Sequence, residues 1–264
     1  MTALVTRSAW AATVADLDPI SLESLNEQAA LQTRVDRKYI VPADQWATVF
    51  ASLGQGFRVL EVDGRRGFGY ESDYFDTADL AAYHDAARRR PRRYKVRTRH
   101  YLDSGLSAIE VKLRSARGET VKHREWLPQE AARSVNLTFE SRVFVGSFDQ
   151  IGHDVDLLTR VLTTSYERTT LTGDDARITV DSSVSATAAG GAQTGFGSAL
   201  IVETKSASRA GSVDRALWAH GIRPARVSKY CTSLAALRPE LPSNRWARTL
   251  RRHIVDAPAT PAAF

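Results

Sequence analysis

The strongest constraint on the fold is a stretch of alternating charges, RRYKVRTRHY, at residues 92–101. Its cations fall on every second position, at Arg93, Lys95, Arg97 and Arg99. Successive side chains of an extended strand point to opposite faces, so this spacing places four cations on one face. A helix would scatter them around its axis. The stretch therefore predicts a β-strand whose charged side is a solvated surface, a nucleic-acid surface or an anion-binding cavity.

Seven further segments have the composition and turn-bounded length of strands. They are residues 33–41, 70–77, 107–114, 119–127, 163–171, 176–184 and 199–206. Short helices are predicted at their margins: a stretch capped by Asp18-Pro19, and residues 42–54, 212–221 and 228–237. The segment rich in Gly, Ala and Ser at 185–198 is predicted to be a flexible loop. This order favours an α+β fold built on an antiparallel sheet.

The strands carry charges on alternate positions, and the opposite face of several is apolar. The charged positions outside the first stretch are Arg34, Asp36, Lys38, Glu110, Lys112, Arg114, Lys122, Arg124, Arg168, Arg177, Asp181, Glu203 and Lys205. A sheet with solvated charges explains each strand alone, but such faces usually mix in Ser, Thr and Gln. A closed antiparallel β-barrel, with a charged lumen and helices packed outside, accounts for both faces.

The composition sets limits on class and location. With 264 residues and 43% hydrophobic content the chain can bury a large core. We expect a single domain at 1–240 and a basic, partly disordered tail at 241–264. A formal charge of +6 favours anionic partners. One cysteine, no signal-peptide core and no apolar run of about 18 residues lead us to expect a cytoplasmic protein without a transmembrane segment.

The residue types point to phosphate chemistry. Arginine donates two hydrogen bonds to phosphate from one plane, and lysine adds a compact charge. Glu203 is the first candidate ligand for Mg²⁺ or Mn²⁺, followed by Glu110 and Asp181; the alternative for Glu203, which we rank second, is a structural salt bridge to a neighbouring arginine. The six histidines lack metal-ligand spacing, and the chain has no GxxxxGK[ST] loop, so a P-loop mechanism is excluded.

An ordered set of motifs over residues 30–237 resembles a known family. The motifs are RVDRKYIV, YFDT, RRYKVRTRHY, IEVKLR, KHR, YERTTL, RITVDSS, IVETKS and SKYCTSL. In this order they are similar to the VTC domain, the polyphosphate polymerase domain of the vacuolar transporter chaperone family. That family belongs to the triphosphate tunnel, or CYTH-like, superfamily. The resemblance implies a barrel of about eight antiparallel strands whose basic lumen binds phosphates.

The resemblance also implies an activity and a set of site residues. The activity is transfer of the γ-phosphoryl group of ATP to a growing polyphosphate chain, with release of ADP and dependence on Mn²⁺ or Mg²⁺. The catalytic set is Lys38, Arg97, Arg99, Lys112 and Arg168. The phosphate-binding set is Arg93, Lys95, Lys122, Arg124, Arg177, Lys205, Ser228 and Lys229, and the metal ligand is Glu203.

The chain departs from the hydrolytic members of the superfamily in its first strand. Those members carry alternating glutamates before a lysine, whereas here the segment is RVDRK, with Asp36 alone and Arg34 in place of a second acid. Fewer acids bind fewer metals, and a second metal is the usual means of activating water. This favours a polymerase over a triphosphatase.

Two alternatives stay open: a triphosphatase using the same tunnel, and a non-catalytic protein that binds polyphosphate or nucleic acid. The cluster RRRPRR at 88–93 supports binding, but aromatic residues do not alternate with its charges as single-strand nucleic-acid binders require. The expected partners are therefore ATP, polyphosphate and orthophosphate, with no specific nucleic acid. A membrane partner protein fits the family, and the oligomeric state stays open.

Overall fold

The structure, a computed structural model, describes residues 10, 12–30, 35–128, 136–207 and 209–255. The chain divides into two compact units. The first unit comprises Met1–Phe68, Tyr166–Val184 and Phe196–Val227, and the second comprises Gly69–Ser165, Ser185–Gly195 and Ser228–Phe264. Arg34 and residues 256–264 of the expected tail lie outside the described residues. The prediction of one domain at 1–240 stays a prediction.

The described residues form strands and short helices in the order expected for an α+β fold. The strands are β1 (Asp18–Ile20), β2 (Val35–Pro42), β3 (Arg58–Leu60), β4 (Phe68–Asp76), β5 (Arg93–Tyr101), β6 (Leu106–Arg114), β7 (Thr120–Leu127), β8 (Thr159–Thr172), β9 (Ala176–Ala188), β10 (Gln193–Gly195) and β11 (Ala199–Ser206). The α-helices are α1 (Leu22–Ala30), α2 (Ala43–Ala51), α3 (Ala81–Ala87), α4 (Phe139–Gly146), α5 (Ser212–Ala219), α6 (Lys229–Leu237) and α7 (Ala247–His253). Short 3₁₀ turns lie at Val155–Leu157 and Asn244–Trp246.

The first unit contains a sheet with strand order β2, β11, β9 and β8. The antiparallel register of β2 and β11 places Lys38 opposite Glu203 and Asp36 opposite Lys205. The other face of these strands is apolar, and it packs with α2 and α5 in one buried cluster that includes Val202. The charged and apolar sides of each strand are thus separated by the pleat, as the alternation predicted.

The second unit contains the strand order β8, β4, β5, β6 and β7, with antiparallel pairing from β4 onward. Val96, Ile109 and Val111 are fully buried and pack with Val145 of α4. Burial of each such side chain contributes about 1.5–3 kcal/mol. The opposite face of β5–β7 carries the charges, so the apolar face anchors these strands while the charged face is available for binding.

Two local predictions were wrong. Asp18 and Pro19 lie in β1, and α1 begins at Leu22, where the Ser21 hydroxyl accepts a hydrogen bond from the Ser24 amide at 3.2 Å. The predicted loop at 185–198 contains a hairpin, because β9 continues to Ala188 and pairs with β10. Gly191, at a φ of 86°, makes the turn between them. The small residues of this segment predicted a loop, but backbone hydrogen bonds pair them in a hairpin.

The large antiparallel sheet predicted from the sequence is confirmed. Pairing within the described residues leaves that sheet open, so backbone hydrogen bonds between these strands do not complete a closed barrel. Over the same residues, no helix has the length and apolar composition that crossing a membrane requires.

Candidate functional site

The charged side of β5–β7 in the second unit, called here the arginine face, is dominated by cations. Alternation and register place on it Arg93, Lys95, Arg97, Arg99, Lys112, Arg114, Lys122 and Arg124. The face carries a single acid, Glu110, which lies opposite Arg97 on β5 and opposite Arg124 on β7. Seven of these eight cations were predicted as site residues, and all eight fall on one side of three adjacent strands.

Glu110 is buried, with 2% of its side chain exposed, and three cations surround it. Arg97 donates from Nε and Nη2 to Oε2 at 2.8 and 2.5 Å. Lys122 donates to Oε1 at 3.2 Å, and Arg99 Nη1 lies 3.9 Å from the same oxygen. Burial alone would raise the pKa of Glu110, but the three cations outweigh it and hold the pKa below its ordinary value. Glu110 is therefore ionised and fixes the arginines in place.

Tyr74 of β4 also contacts this cluster, and it was not among the predicted site residues. Arg97 Nη1 donates to the Tyr74 hydroxyl at 3.1 Å, and the Arg97 guanidinium lies 5.9 Å from the centre of the Tyr74 ring. Although burial raises the pKa of Tyr74, Arg97 and Lys229 lower it overall. Tyr74 lies in a strand that was predicted, but its position opposite Arg97 depends on the register of β4 and β5, which the sequence pattern does not give.

Ser228 and Lys229, both predicted to bind phosphate, lie at the start of α6. The Ser228 hydroxyl accepts a hydrogen bond from the Cys231 amide at 3.2 Å and caps the helix. Lys95 Nζ donates to the same hydroxyl at 2.9 Å. The fold of the second unit thus brings Lys95, a residue of the arginine face, into contact with Ser228, the cap of α6.

The charged side of the first unit, called here the mixed face, combines cations and acids in similar number. It carries Asp36, Lys38, Arg168, Arg177, Asp181, Glu203 and Lys205. Glu203 accepts a hydrogen bond from Lys38 Nζ at 2.6 Å and lies 3.3 Å from Lys205 Nζ. Lys205 also lies 3.5 Å from Asp36. Glu203 therefore forms an ion pair, the alternative to a metal ligand, but its partners are lysines and not the neighbouring arginine that was expected.

The electrostatics of Glu203 follow from this arrangement. Burial alone would raise its pKa, yet Lys38, Lys205 and Arg168 hold the pKa well below the ordinary value. The carboxylate therefore stays ionised at neutral pH, with Lys38 and Lys205 as its nearest counter-charges.

Arg168 and Asp181 form the second ion pair of the mixed face. Arg168 Nε and Nη2 donate to the two oxygens of Asp181 at 2.6 and 2.8 Å, a bidentate geometry. Burial alone would lower the pKa of Arg168, but Asp181 outweighs it and raises the pKa well above the ordinary value. Arg177 lies opposite Lys205 in the register of β9 and β11. Arg168, which was predicted to be catalytic, is therefore held by Asp181, which was predicted as an alternative metal ligand.

The three candidate metal ligands do not gather into one site made by the protein alone. Glu203 and Asp181 belong to the mixed face and Glu110 to the arginine face, and each pairs with cations. Within the described ranges no group of three or more His, Cys, Asp or Glu side chains could hold a metal ion. Divalent ions in phosphoryl-transfer sites commonly use one or two carboxylates together with substrate phosphates. Glu203 fits that pattern as one ionised, partly exposed carboxylate.

Comparisons with known proteins identify a family and a fold. A model of the VTC domain matches residues 33–238. No curated protein matches the chain. A proposed adenylate cyclase of known structure from Bacillus halodurans is 13% identical, with 75% of this chain and 94% of that chain covered and a TM-score of 0.51. A likeness at this identity shows a shared fold.

Two further solved structures are similar at lower TM-scores. A proposed adenylyl cyclase from Hippeastrum, described as having a dominant triphosphatase activity, is 13% identical, with 76% of this chain and 94% of that chain covered and a TM-score of 0.45. A proposed adenylate cyclase from Vibrio parahaemolyticus is 11% identical, with 75% and 95% covered and a TM-score of 0.43.

Proposed function

The chain belongs to the VTC domain family and has the triphosphate tunnel fold, and we propose that it is a polyphosphate polymerase. In this reaction a terminal oxygen of the polyphosphate chain forms a bond to the γ-phosphorus of ATP. The bond from that phosphorus to the β–γ bridging oxygen breaks, and ADP leaves. Family membership supports an activity on polyphosphate or triphosphate. The choice of a polymerase rests on the distribution of charge.

The observation that carries the proposal is the excess of cations on the arginine face. Eight cations share this face with Glu110 alone, and Glu110 engages only Arg97, Arg99 and Lys122 at 3.9 Å or less. A bound polyanion would supply the negative charge that balances this excess of cations. A chain with one negative charge or more per phosphate matches a row of cations spaced along strands better than a compact anion does.

The proposed roles follow from the demands of phosphoryl transfer, which depends on positioning and charge stabilisation rather than on a protein nucleophile. Arg97 and Arg99, fixed by Glu110, would hold phosphates in one orientation. Lys112, exposed between Lys95 and Lys122 in the strand register, would add a further positive charge. Lys38 and Arg168 would bind phosphates at the mixed face.

Glu203 is the proposed ligand for Mn²⁺ or Mg²⁺. When bound, such an ion neutralises phosphate oxygens while charge shifts during transfer. The protein's own contribution is a carboxylate that Lys38, Lys205 and Arg168 keep ionised. Asp36, another acid of this face, lies 3.5 Å from Lys205. With Glu203 as the proposed ligand, one metal ion would bind, which favours a phosphate acceptor over a metal-activated water.

The test is a product assay with the full chain, ATP and Mn²⁺. Gel electrophoresis should resolve a long anionic polymer, and ADP should appear in proportion to it. Release of orthophosphate without polymer would instead identify a triphosphatase. Polyphosphate binding without turnover of ATP would identify a binding protein.

The matched variants are Lys112→Gln and Arg209→Gln. Lys112 is exposed on the arginine face, so its replacement should leave the fold intact and slow synthesis about 10- to 150-fold, the value of one charge-assisted contact. Arg209 is exposed between β11 and α5, outside the strands that form either face, and its replacement should leave synthesis within about twofold. Equal rates in both variants would contradict the assignment of the arginine face.

A further inference from the structure

A pocket rich in arginine lies within the second unit, where three segments that are distant in sequence meet. Its volume is about 230 Å³, and its charged lining residues are Arg89, Arg93, Arg114 and Arg245. Arg89 belongs to the segment between α3 and β5, Arg114 ends β6, and Arg245 comes from the 3₁₀ turn before α7. Arg245 lies beyond the part of the chain that the family model matches, which ends at residue 238.

The backbone holds these guanidinium groups in place. Arg93 Nη1 donates to the carbonyl oxygen of Arg90 at 2.6 Å, and Arg245 Nη1 donates to that of Ala86 at 2.7 Å. A Cβ atom at residue 118 would lie 3.2 Å from Arg114 Nη2, and Gly118 itself has a φ of 87°. Glycine therefore makes the turn after β6 and leaves room for the Arg114 guanidinium.

The charge of the pocket is not balanced by its own lining. Besides the arginines, it is lined by Pro91, Ser115, Ala116 and Gly118, none of which carries a charge. Burial, followed by the charges of Arg114 and Arg245, lowers the pKa of Arg93. Asp85 acts on Arg93 in the opposite direction with a smaller effect. Arginine stays protonated at neutral pH despite such a shift, so the four groups carry like charges that an anion in the pocket would balance. This arrangement is typical of an anion-binding site.

The pocket continues the arginine face. Arg93 lies opposite Arg114 in the register of β5 and β6, and Lys95 and Arg97 follow on the same side of β5. Arg97 comes four positions after Arg93 on the strand, a distance of about 13 Å. Each P–O–P link covers only a few ångströms, so a triphosphate bound at Arg97 ends before the pocket. A longer chain of condensed phosphate contacts both.

We propose that the pocket of Arg89, Arg93, Arg114 and Arg245 binds a segment of polyphosphate several phosphates away from the chain end held at the arginine face. The site makes affinity depend on chain length, so long chains stay bound between successive additions while short products dissociate. The identity of the chain rests on the proposed function. Polyphosphate is favoured over single-stranded RNA because, among the residues that the structure describes, no aromatic ring lines the pocket to stack on bases.

The experiment measures the Kd of the full chain, without ATP and without metal, for tripolyphosphate and for long-chain polyphosphate. Arg89→Gln and Arg245→Gln should each weaken binding of the long chain about 10-fold, a typical cost for a charge-assisted contact. Binding of tripolyphosphate should change less than about twofold. The matched control is Arg251→Gln, which removes the same charge from an exposed position on α7 and should change neither Kd.

Arg245 also supports the fold through its contact with Ala86, so a melting curve accompanies that variant. Arg89 is exposed, so the Arg89→Gln variant gives the same test without the risk of destabilising the fold. Equal weakening for both ligands, or no weakening for the long chain, would overturn the proposal. Loss of RNA binding in Arg89→Gln, with unchanged polyphosphate binding, would overturn it in favour of a nucleic-acid site.

This experiment is independent of the proposed function because it requires no turnover. If the wild-type protein makes no polymer but the two variants lose chain-length dependence, the pocket assignment stands and the polymerase assignment fails. If polymer is made and the variants keep the wild-type ratio of the two Kd values, the pocket assignment alone fails.

Discussion

The mixed face of the first unit and the arginine face of the second unit use the same alternation of charge in opposite ways. On the mixed face four cations, Lys38, Arg168, Arg177 and Lys205, accompany three acids, Asp36, Asp181 and Glu203. On the arginine face eight cations accompany Glu110 alone. The first arrangement is close to neutral, and the second carries a large positive excess.

This difference separates two tasks that a phosphoryl-transfer protein must perform. A face with ionised acids such as Glu203 can attract a divalent cation, whereas a face with a large excess of cations over acids attracts the phosphate chain itself. Substitutions on the mixed face should therefore alter metal-dependent turnover and stability. Those on the arginine face should chiefly alter affinity for polyanions.

The largest expected effect is a loss of folding stability, and it tests the difference between the two faces. Arg168→Ala removes the bidentate partner of buried Asp181 and should lower the free energy of unfolding by about 3–5 kcal/mol. Arg97→Ala should cost less, about 1.5–3 kcal/mol, because Glu110 keeps Lys122 and Arg99 nearby. Urea denaturation of both variants gives the two values. The control is the double variant Arg168→Ala/Asp181→Ala, which should recover part of the loss, and equal losses in the single variants would contradict the comparison.

The next effect concerns turnover at the mixed face. Glu203→Gln keeps the shape of the side chain but removes the charge proposed to hold the metal, so Mn²⁺-dependent ATP turnover should fall at least about 100-fold, or roughly 2.7 kcal/mol in activation free energy. Polyphosphate affinity should hold or increase, because an acid has been removed from among lysines.

Three measurements on the Glu203→Gln variant decide between metal ligand and salt bridge: melting temperature, polyphosphate affinity and turnover. A structural salt bridge predicts lower melting temperature with normal turnover in the folded fraction. A folded variant with near-normal turnover would mean that the metal is held elsewhere.

A smaller effect depends on pH at the arginine face. Glu110→Gln should lower the free energy of unfolding by about 1.5–3 kcal/mol at pH 7, since it removes the charge that pairs with Arg97 and Lys122. The pKa of Glu110 in the folded protein lies below its ordinary value of 4.5. The acid therefore stabilises the fold above about pH 4.5, and this contribution is lost as the pH falls from there towards the folded-state pKa.

The measurement is urea denaturation of wild type and Glu110→Gln from pH 7 to pH 3. The difference between the two proteins should shrink below pH 4.5 while the variant binds polyphosphate more tightly than wild type at pH 7. A difference that stays constant over this range would show that the ionised form of Glu110 is not the source of the stabilisation.

The smallest expected effect lies beside the arginine face at the start of α6. Ser228→Ala removes the helix cap and the acceptor for Lys95, and it should cost about 1 kcal/mol, or roughly 2–4 °C in Tm. Ser228→Thr keeps a hydroxyl and is the control. If both variants lose the same stability, the hydroxyl is not acting as the cap.

Much of the fold could be predicted from the sequence. All eight predicted strands are present, because alternation of charged and apolar residues is a local property that each strand carries by itself. The alternation also placed the eight cations of β5–β7 and Glu110 on one side, as the structure has them. The two wrong predictions concern the helix cap at Asp18-Pro19 and the loop at 185–198. Small residues and residues that can cap a helix also occur in strands and turns, so their type alone does not decide the local structure.

The candidate site could be predicted less completely, since its geometry depends on pairs that are distant in the chain. The sequence alone determined the charged faces, the family and the residue types suited to phosphate. Only the tertiary structure decided that Glu203 pairs with Lys38, that Tyr74 joins Arg97, and that Arg245 meets Arg89 in one pocket. Lys38 and Glu203 are 165 residues apart, and their contact is fixed by the register of β2 against β11. Periodicity sets which side of a strand a residue occupies, but register between strands and the packing of distant segments set its partner.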